Sequence, residues 1–428
     1  QRVGTWEQQE WTSVAEHVPR RERRTGPYSS YLPDTLSDSA LSLSPQLSQR
    51  IAHAESAVRQ LDRRSARGLA SVSRFLLRSE AIASSRIEGI APNAKNVALA
   101  ELGQTEDVEG LRETSKLVAN NMTAVREATD RSAAAVEFTV EHIMALQRSL
   151  LTDSPQLHGL RSAQNWVGGS QHHPLEAEFV PPAPHHVPVL MNDLVQYING
   201  AAHSPLVQAA LVHAQFETVH PFADGNGRVG RALIHTVLTR RGLTEDSILP
   251  VSLVLATFRD RYIEGLTAYR AEGASDSAAV TAGRETWIGV FTDAVLQAAE
   301  RASLLADEID ELREDWAQRV ADHRATEGKK RALRSDSAVT PILDGLPGTP
   351  VLTQATVARI HDVSQQAAHK ALETLREAGV LETASIRRGL RAYVSPDLLS
   401  LITSAERTLA STRFDTRLSA PNRPVASS

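Results

Sequence analysis

The sequence contains no cysteine among its 428 residues. That absence excludes disulfides, thiolate catalysis and cysteine-ligated metal sites. No apolar run approaches the ~18 residues of a membrane span, and the N-terminus lacks the apolar core of a signal peptide. Positive charge is not in excess either: 46 Lys+Arg face 51 Asp+Glu, a formal net charge of −5. Nucleic-acid binding would therefore need a local patch. No internal repeat of about 20–50 residues marks the chain. What is present is ordinary globular usage, 41% hydrophobic and 23% charged, and at ~100–200 residues per domain the length predicts about two to four domains. A soluble, cytoplasmic protein with no membrane partner is expected. The first residue is Gln1 rather than Met, so a trimmed start is expected as well.

Residues 1–43 read as polar loop, with the run Arg20–Arg24 a solvated face. Ser44 then Pro45 signals a helix start, and Leu69, Val72, Leu76 and Ala83 carry helical spacing to about residue 85. Helical patterns recur at roughly 107–128, 135–151, 187–199, 204–219, 226–241, 258–271 and 284–323. Residues 166–182 hold two short apolar ends around a polar loop, a hairpin pattern. The pairs His172/His173 and His185/His186 read as exposed loop residues. Residues 324–350 look like a linker, and the tail after Arg407 looks frayed.

The most informative stretch is HPFADGNGRVGR, His220 to Arg231. Pro221 cannot continue the preceding helix, and a second helix starts near Asn226. Gly225 and Gly227 let backbone N–H groups at that helix mouth approach an anion, which the dipole also attracts. Arg228 and Arg231 share one side of the helix and suit a polyphosphate gripped at two points. Asp224 beside this cradle suits Mg²⁺ bridging phosphate oxygens. His220 is placed to act as general base at neutral pH. Phe222 reads as an inward anchor. A glycine-rich corner with an incidental histidine is the bland alternative, and the coincidence of residue types argues against it.

These twelve residues fit the signature H-x-F-x-[DE]-G-N-G-R-x-x-R at every specified position, and the chain thereby resembles the Fic family. The resemblance implies a mainly α fold: a Fic-type helical bundle with a small β-hairpin flap. It implies a protein adenylyltransferase that moves AMP from ATP to a hydroxyl side chain of a target protein and to itself. His220 would deprotonate that hydroxyl, Asp224 would hold Mg²⁺, and Gly225, Asn226 and Gly227 would form the anion hole, with Arg228 and Arg231 on the phosphates. The flap would be residues 164–182, with Val167, Gly168, Gly169 and Ser170 at its turn, where a target segment adds as a strand. Tyr262 and Leu266, four apart in the following helix, are candidates for the adenine wall or for plain core; Trp287 and Phe291 read as core.

SSRIEG, Ser84 to Gly89, places Glu88 in a last helical turn, where a carboxylate opposes the dipole by roughly 0.3–1 kcal/mol. The stretch resembles the Fic inhibitory motif [ST]-x-x-x-E-[GN], with Ser84, Glu88 and Gly89 in its fixed positions. That resemblance implies self-inhibition through pairing of Glu88 with Arg231.

Residues 353–394 differ in logic. Thr353 caps one short helix and Ser364 a second, bearing Ala368, Ala371, Leu372 and Leu375, which Gly379 ends. Strand-like pieces follow around 380–383 and 390–394. The order resembles a winged helix-turn-helix. On DNA, Gln365, Gln366, His369 and Lys370 would face the groove, and Arg387, Arg388 and Arg391 would meet phosphates; a protein or a second copy is the other partner such modules take. The expected partition is 1–106 with the inhibitory motif, 107–305 catalytic core, 306–350 connector, 351–400 winged helix and 401–428 tail. Competing functions are a transcription regulator that senses nucleotide, and removal of AMP or transfer of another nucleotide moiety.

Overall fold

Alternating exposure opens the fold. The computed structural model describes residues 4–13, 18–37, 41–65, 70–245, 247–328 and 337–412. Strand β1 (Thr5–Trp11) pairs antiparallel with β2 (Gly26–Leu32), Thr5 opposite Leu32 and Trp11 opposite Gly26. This ribbon corrects the expectation of a loop over residues 1–43. Its half-buried face is Thr5, Glu7, Gln9 and Trp11, so polar residues face inward and no hydrophobic alternation betrays the strand,. The arginines of 20–24 are exposed, as expected.

Helices follow: α1 (Pro45–Ser65), α2 (Ala70–Ile87), α3 (Ala94–Leu102), α4 (Glu113–Glu127), α5 (Val140–Leu150), α6 (Val187–Asn199), α7 (Pro205–Val219) and α8 (Asn226–Arg240). Then come α9 (Val251–Thr257), α10 (Arg259–Tyr269), the long α11 (Ala278–Thr326) and α12 (Val339–Gly345). The end of the described chain is β3 (Val351–Leu352), α13 (Gln354–His361), α14 (Gln365–Glu377), β4 (Glu382–Arg387), β5 (Leu390–Val394) and α15 (Pro396–Thr412). The chain is mainly helical with small antiparallel sheets. The single helix expected from 44 to 85 is two helices, and residues 66–69, Leu69 among them, lie outside the described residues. The expected linker carries α12, whose Val339, Ile342 and Leu343 are buried, because three apolar residues at helical spacing outweigh the flanking Pro and Gly,. The expected fraying after Arg407 gives way to helix as far as Thr412, and residues 413–428 lie outside the described residues.

Chain contacts divide the molecule into two units, one of residues 1–58, 123–245 and 259–296, the other of 59–122, 246–258 and 297–428. In the first, α7 is the axis, with every side chain from Leu206 to Val219 buried. Pro205 starts it where an N–H has no helical partner anyway. Against it lies α8, so close that a Cβ at Gly230 would sit 2.5 Å from Glu217 Oε1 and 3.0 Å from Phe216 Cδ1 and displace those side chains. Trp287 donates its indole N–H to Ala210 O at 2.7 Å, and Trp287 and Phe291 are core, as expected.

In the second unit, Ala98 and Leu102 of α3 pack with Val351, Ile386, Ala392 and Val394 of a three-stranded antiparallel sheet ordered β3-β5-β4. The buried Arg78 of α2 donates to Glu101 Oε2 at 2.7 Å and to Gly348 O at 3.1 Å, fixing α3 to the segment before β3. Ser364 caps α14 through Ala367 N–H, and Ala368, Ala371, Leu372 and Leu375 are its buried face.

Candidate active site

His220 ends α7 in a conformation that side chains rarely adopt. Its φ is 47° and ψ 59°, the left-handed region, while its N–H still closes the helix on Phe216 O at 2.8 Å. A non-glycine residue held there costs about 1–3 kcal/mol and persists only when its surroundings over-determine it. The surroundings do so. Arg161 Nε donates to His220 O at 2.9 Å, and its other nitrogens reach the carbonyls of Ala163, Pro182 and Val219. Asn165 Nδ2 donates to His220 O at 3.3 Å and to Phe222 O at 2.9 Å. Burial brings Arg161 down to about 10, so it remains a cation at neutral pH,.

Pro221 offers no N–H but its carbonyl accepts from Arg161 N at 2.9 Å. Phe222 is fully buried 5.9 Å from the Phe216 ring, the anchor that the sequence suggested. The Asn226 side chain closes the turn in both directions, accepting from Phe222 N and donating to Phe222 O, each at 2.8 Å. Asn226 thus uses its side chain on the loop and leaves its backbone to the helix mouth.

Gly225 caps α8 with φ 86°, and a Cβ there would lie 2.9 Å from Leu150. The first intrahelical bond of α8 runs from Val229 N to Gly225 O, so the N–H groups of Asn226, Gly227 and Arg228 precede the helical ladder,. Arg228 and Arg231 are both buried on this helix. Asp224 is half exposed; its Oδ1 accepts from Gly225 N at 2.6 Å and lies 3.5 Å from Arg228 Nη2. Gln147 of α5 donates to Asp224 O at 3.2 Å and accepts from Gly159 N at 2.9 Å, tying the turn to the bundle. The His220 ring is one-fifth exposed, with Nδ1 4.0 Å from Oε2 of the buried Glu217.

The five features read from the sequence (base, carboxylate, glycine turn, helix mouth and arginine pair) therefore lie within one loop and one helix end. Tyr262 is buried, its hydroxyl 2.9 Å from His213 Nε2 and its ring against Trp287; Leu266 is buried too. Burial pulls His213 down to about 3, with the Arg231 charge pushing the same way. Arg161, Asn165 and Gln147 escaped the sequence reading because hydrogen bonds to carbonyls leave no pattern along the chain.

The expected hairpin is reduced to a single bridge. Val167 N donates to Phe179 O at 2.8 Å and Phe179 N to Val167 O at 3.2 Å. Gly168 and Gly169 are left-handed, and Trp166 Nε1 donates to Ser170 O at 2.7 Å across the turn. The residues beyond it, with Pro174, Pro181 and Pro182 lacking donors, extend no ladder. Tyr31 of β2 adds to the far side, its N–H reaching Val180 O at 3.0 Å. His173 is buried, 3.6 Å from Glu22, which corrects its expected exposure.

In the second unit, α2 stops at Ile87, Ser84 is buried, Glu88 is exposed, and Gly89 has φ 78°. The N–H groups of Glu88 and Ile90 both reach Ser85 O.

The family model described as Fic/DOC family matches residues 137–238. A probable protein adenylyltransferase of Aquifex aeolicus (strain VF5) is 36% identical over 91 residues, 21% of this chain and 26% of that protein. The protein adenylyltransferase Fic of Drosophila willistoni is 36% identical over 112 residues, 25% of this chain and 21% of that one. The chain thus spans about a quarter or less of the length of these curated relatives. A crystal structure of a Fic family protein from Desulfovibrio desulfuricans G20 aligns at TM-score 0.48 and 20% identity, over 84% of this chain and 98% of that one.

Proposed function

We propose that this Fic family protein transfers AMP from ATP to a hydroxyl side chain of a target protein, and to itself. The observation that carries the proposal is His220, locked in a left-handed turn at the mouth of a helix whose two arginines are buried. Backbone strain held at a histidine beside a helix mouth argues for a chemical use.

The acceptor hydroxyl gives its proton to His220 and attacks the α-phosphorus in line. The O–P bond to AMP forms as the bond to the β-phosphate breaks, and pyrophosphate leaves. Amides of residues 226–228 and the arginines Arg228 and Arg231 hold the charge on the phosphates. A Mg²⁺ ion fits the residues present in one mode only. Among the described residues no group of three or more metal-binding side chains gathers, while Asp224 offers a single half-exposed carboxylate. Magnesium is commonly held by one or two carboxylates plus substrate phosphates. Asp224 would hold such an ion, which would supply charge neutralisation on the phosphates.

Glu88 supplies the restraint in this reading. Pairing with Arg231 occupies the arginine that ATP's terminal phosphates need, so nucleotide sits unproductively. Support comes from the Ser84-Glu88-Gly89 motif and the glycine-terminated helix that ends in it. Mass spectrometry of the protein after incubation with ATP and Mg²⁺ tests the whole. Glu88→Gly is expected to carry more AMP than wild type; equal AMP on both removes the inhibitory role, and no AMP on either removes the transferase.

A second reading has its own observation. α13, α14 and the β4–β5 hairpin follow the order of a winged helix-turn-helix, and α14 exposes Gln365, Gln366, His369 and Lys370. Arg387 is paired with Asp107 at 2.7 Å, which subtracts one cation from any phosphate contact. Salt-dependent, sequence-selective DNA binding without AMP transfer favours this regulator.

A further inference from the structure

The run RRERR at residues 20–24 is unusual for its one acidic member. Glu22 turns inward while its neighbours stay in solvent: its Oε2 accepts from Ser170 Oγ at 2.7 Å and lies 3.6 Å from His173 Nε2. Ser170 and His173 belong to the loop beyond the Val167–Phe179 bridge, so this single carboxylate fastens the arginine run to the tip of the flap. Two further contacts secure the attachment. Trp11 packs edge-on against Trp166 at 5.4 Å, and Arg24 is ion-paired with Glu176. A short 3₁₀ turn, Arg20–Glu22, then presents Arg20 and Arg21 outward, Arg21 with 86% of its side chain in water and its Nε 3.4 Å from Glu22 Oε1.

We propose that this basic margin is a docking surface for acidic residues of the protein being modified, and that it helps to select the target. The inference rests on the transferase reading and deepens it. The base of the flap is hydrogen-bonded to the His220 carbonyl through Asn165 and its tip to Glu22 through Ser170, so the flap joins the His220 loop to the arginine run. Five positions along the flap separate Asn165, bonded to the His220 carbonyl, from Ser170, bonded to Glu22, and a peptide laid along them at about 3.3 Å per residue would carry the matching acidic residues within about five positions of the acceptor. A nucleic acid would also answer a basic patch, but the bonds that fasten this one to the flap through Glu22, Ser170 and His173 favour a peptide held at that flap. Exposed charges at a rim act on encounter rate and on binding, and salt screens them.

The test uses the full chain and fluorescent threonine-centred peptides carrying Glu, Gln or Lys at those flanking positions, read by anisotropy without ATP. Wild type is expected to bind the Glu peptide about tenfold more tightly than the Gln peptide at low salt, with the difference collapsing at high salt. The double variant Arg20→Glu/Arg21→Glu is expected to prefer the Lys peptide. The same ranking in both proteins overturns the proposal, as does stronger competition by an oligothymidine than by the Glu peptide. Transfer of AMP to the same peptides is measured separately. Charge reversal without AMP transfer defeats the transferase reading and leaves the surface standing, whereas transfer with no charge ranking does the opposite.

Discussion

Arg161 donates its Nε–H to the backbone carbonyl of His220 at 2.9 Å, across 59 residues of sequence. The same guanidinium reaches Pro182 O at the foot of the flap and Val219 O in the last turn of α7. One side chain therefore joins the foot of the flap to the residue read as general base. Lysine offers no planar fork to span these carbonyls. Arg161→Lys is expected to lower kcat for AMP transfer by about 10–100-fold, the scale of a misplaced catalytic group, with ATP affinity nearly unchanged. Loss of ATP binding in parallel with kcat would instead point to a general collapse of the site.

The left-handed backbone of His220 makes a stability prediction. Glycine adopts φ 47° without a Cβ penalty,. His220→Gly is expected to unfold at a temperature equal to or above that of wild type, because relief of about 1 kcal/mol or more offsets the loss of a partly exposed ring. A large fall in Tm would mean that the ring contributes more to packing than its exposure suggests.

Gly230 tests the α7–α8 contact. Its absent Cβ is the space that Glu217 Oε1 and Phe216 Cδ1 occupy. Gly230→Ala is expected to destabilise by about 1–3 kcal/mol, measured by urea denaturation with an unchanged m-value. An equal or higher midpoint would show that α8 shifts freely.

The buried His213 carries a pH dependence. Its folded pKa is about 3 because burial disfavours the cation, against about 6.5 when unfolded. Below that unfolded value the unfolded chain binds the extra proton, so stability is full above it and falls as pH drops toward the folded value. The slope is at most about 1.4 kcal/mol per pH unit from this group. His213→Gln is expected to flatten the Tm profile between these two values; an unchanged slope assigns the acid sensitivity to other groups.

How much of this was legible along the chain follows from where the information lies. Helices α7 and α8 were bounded to within about a residue because Pro205, Pro221, Gly225 and Gly242 punctuate them locally,. The turn at 220–225 was legible for the same reason, since histidine, carboxylate and glycine are neighbours in sequence. The ribbon of β1 and β2 was hidden because Glu7 and Gln9 occupy its half-buried face, where Glu7 meets His186 at 3.6 Å. Arg161, Asn165 and Gln147 act on carbonyls far along the chain, and a residue that bonds backbone leaves no periodic trace. The hairpin expected over 166–182 is one bridge, Val167 to Phe179, because the prolines around it lack the donors a ladder needs,.

The most direct test of the central claim compares label from α- and γ-phosphate in one reaction. Glu88→Gly protein is incubated with each form of labelled ATP, and His220→Ala in the same background serves as control. Incorporation of the α-label alone, with pyrophosphate released, is expected, and the histidine variant is expected to bind ATP while transfer falls about 10²–10⁴-fold. Incorporation of the γ-label, or undiminished α-transfer without the imidazole, contradicts the assignment of His220 as the base of an AMP transfer.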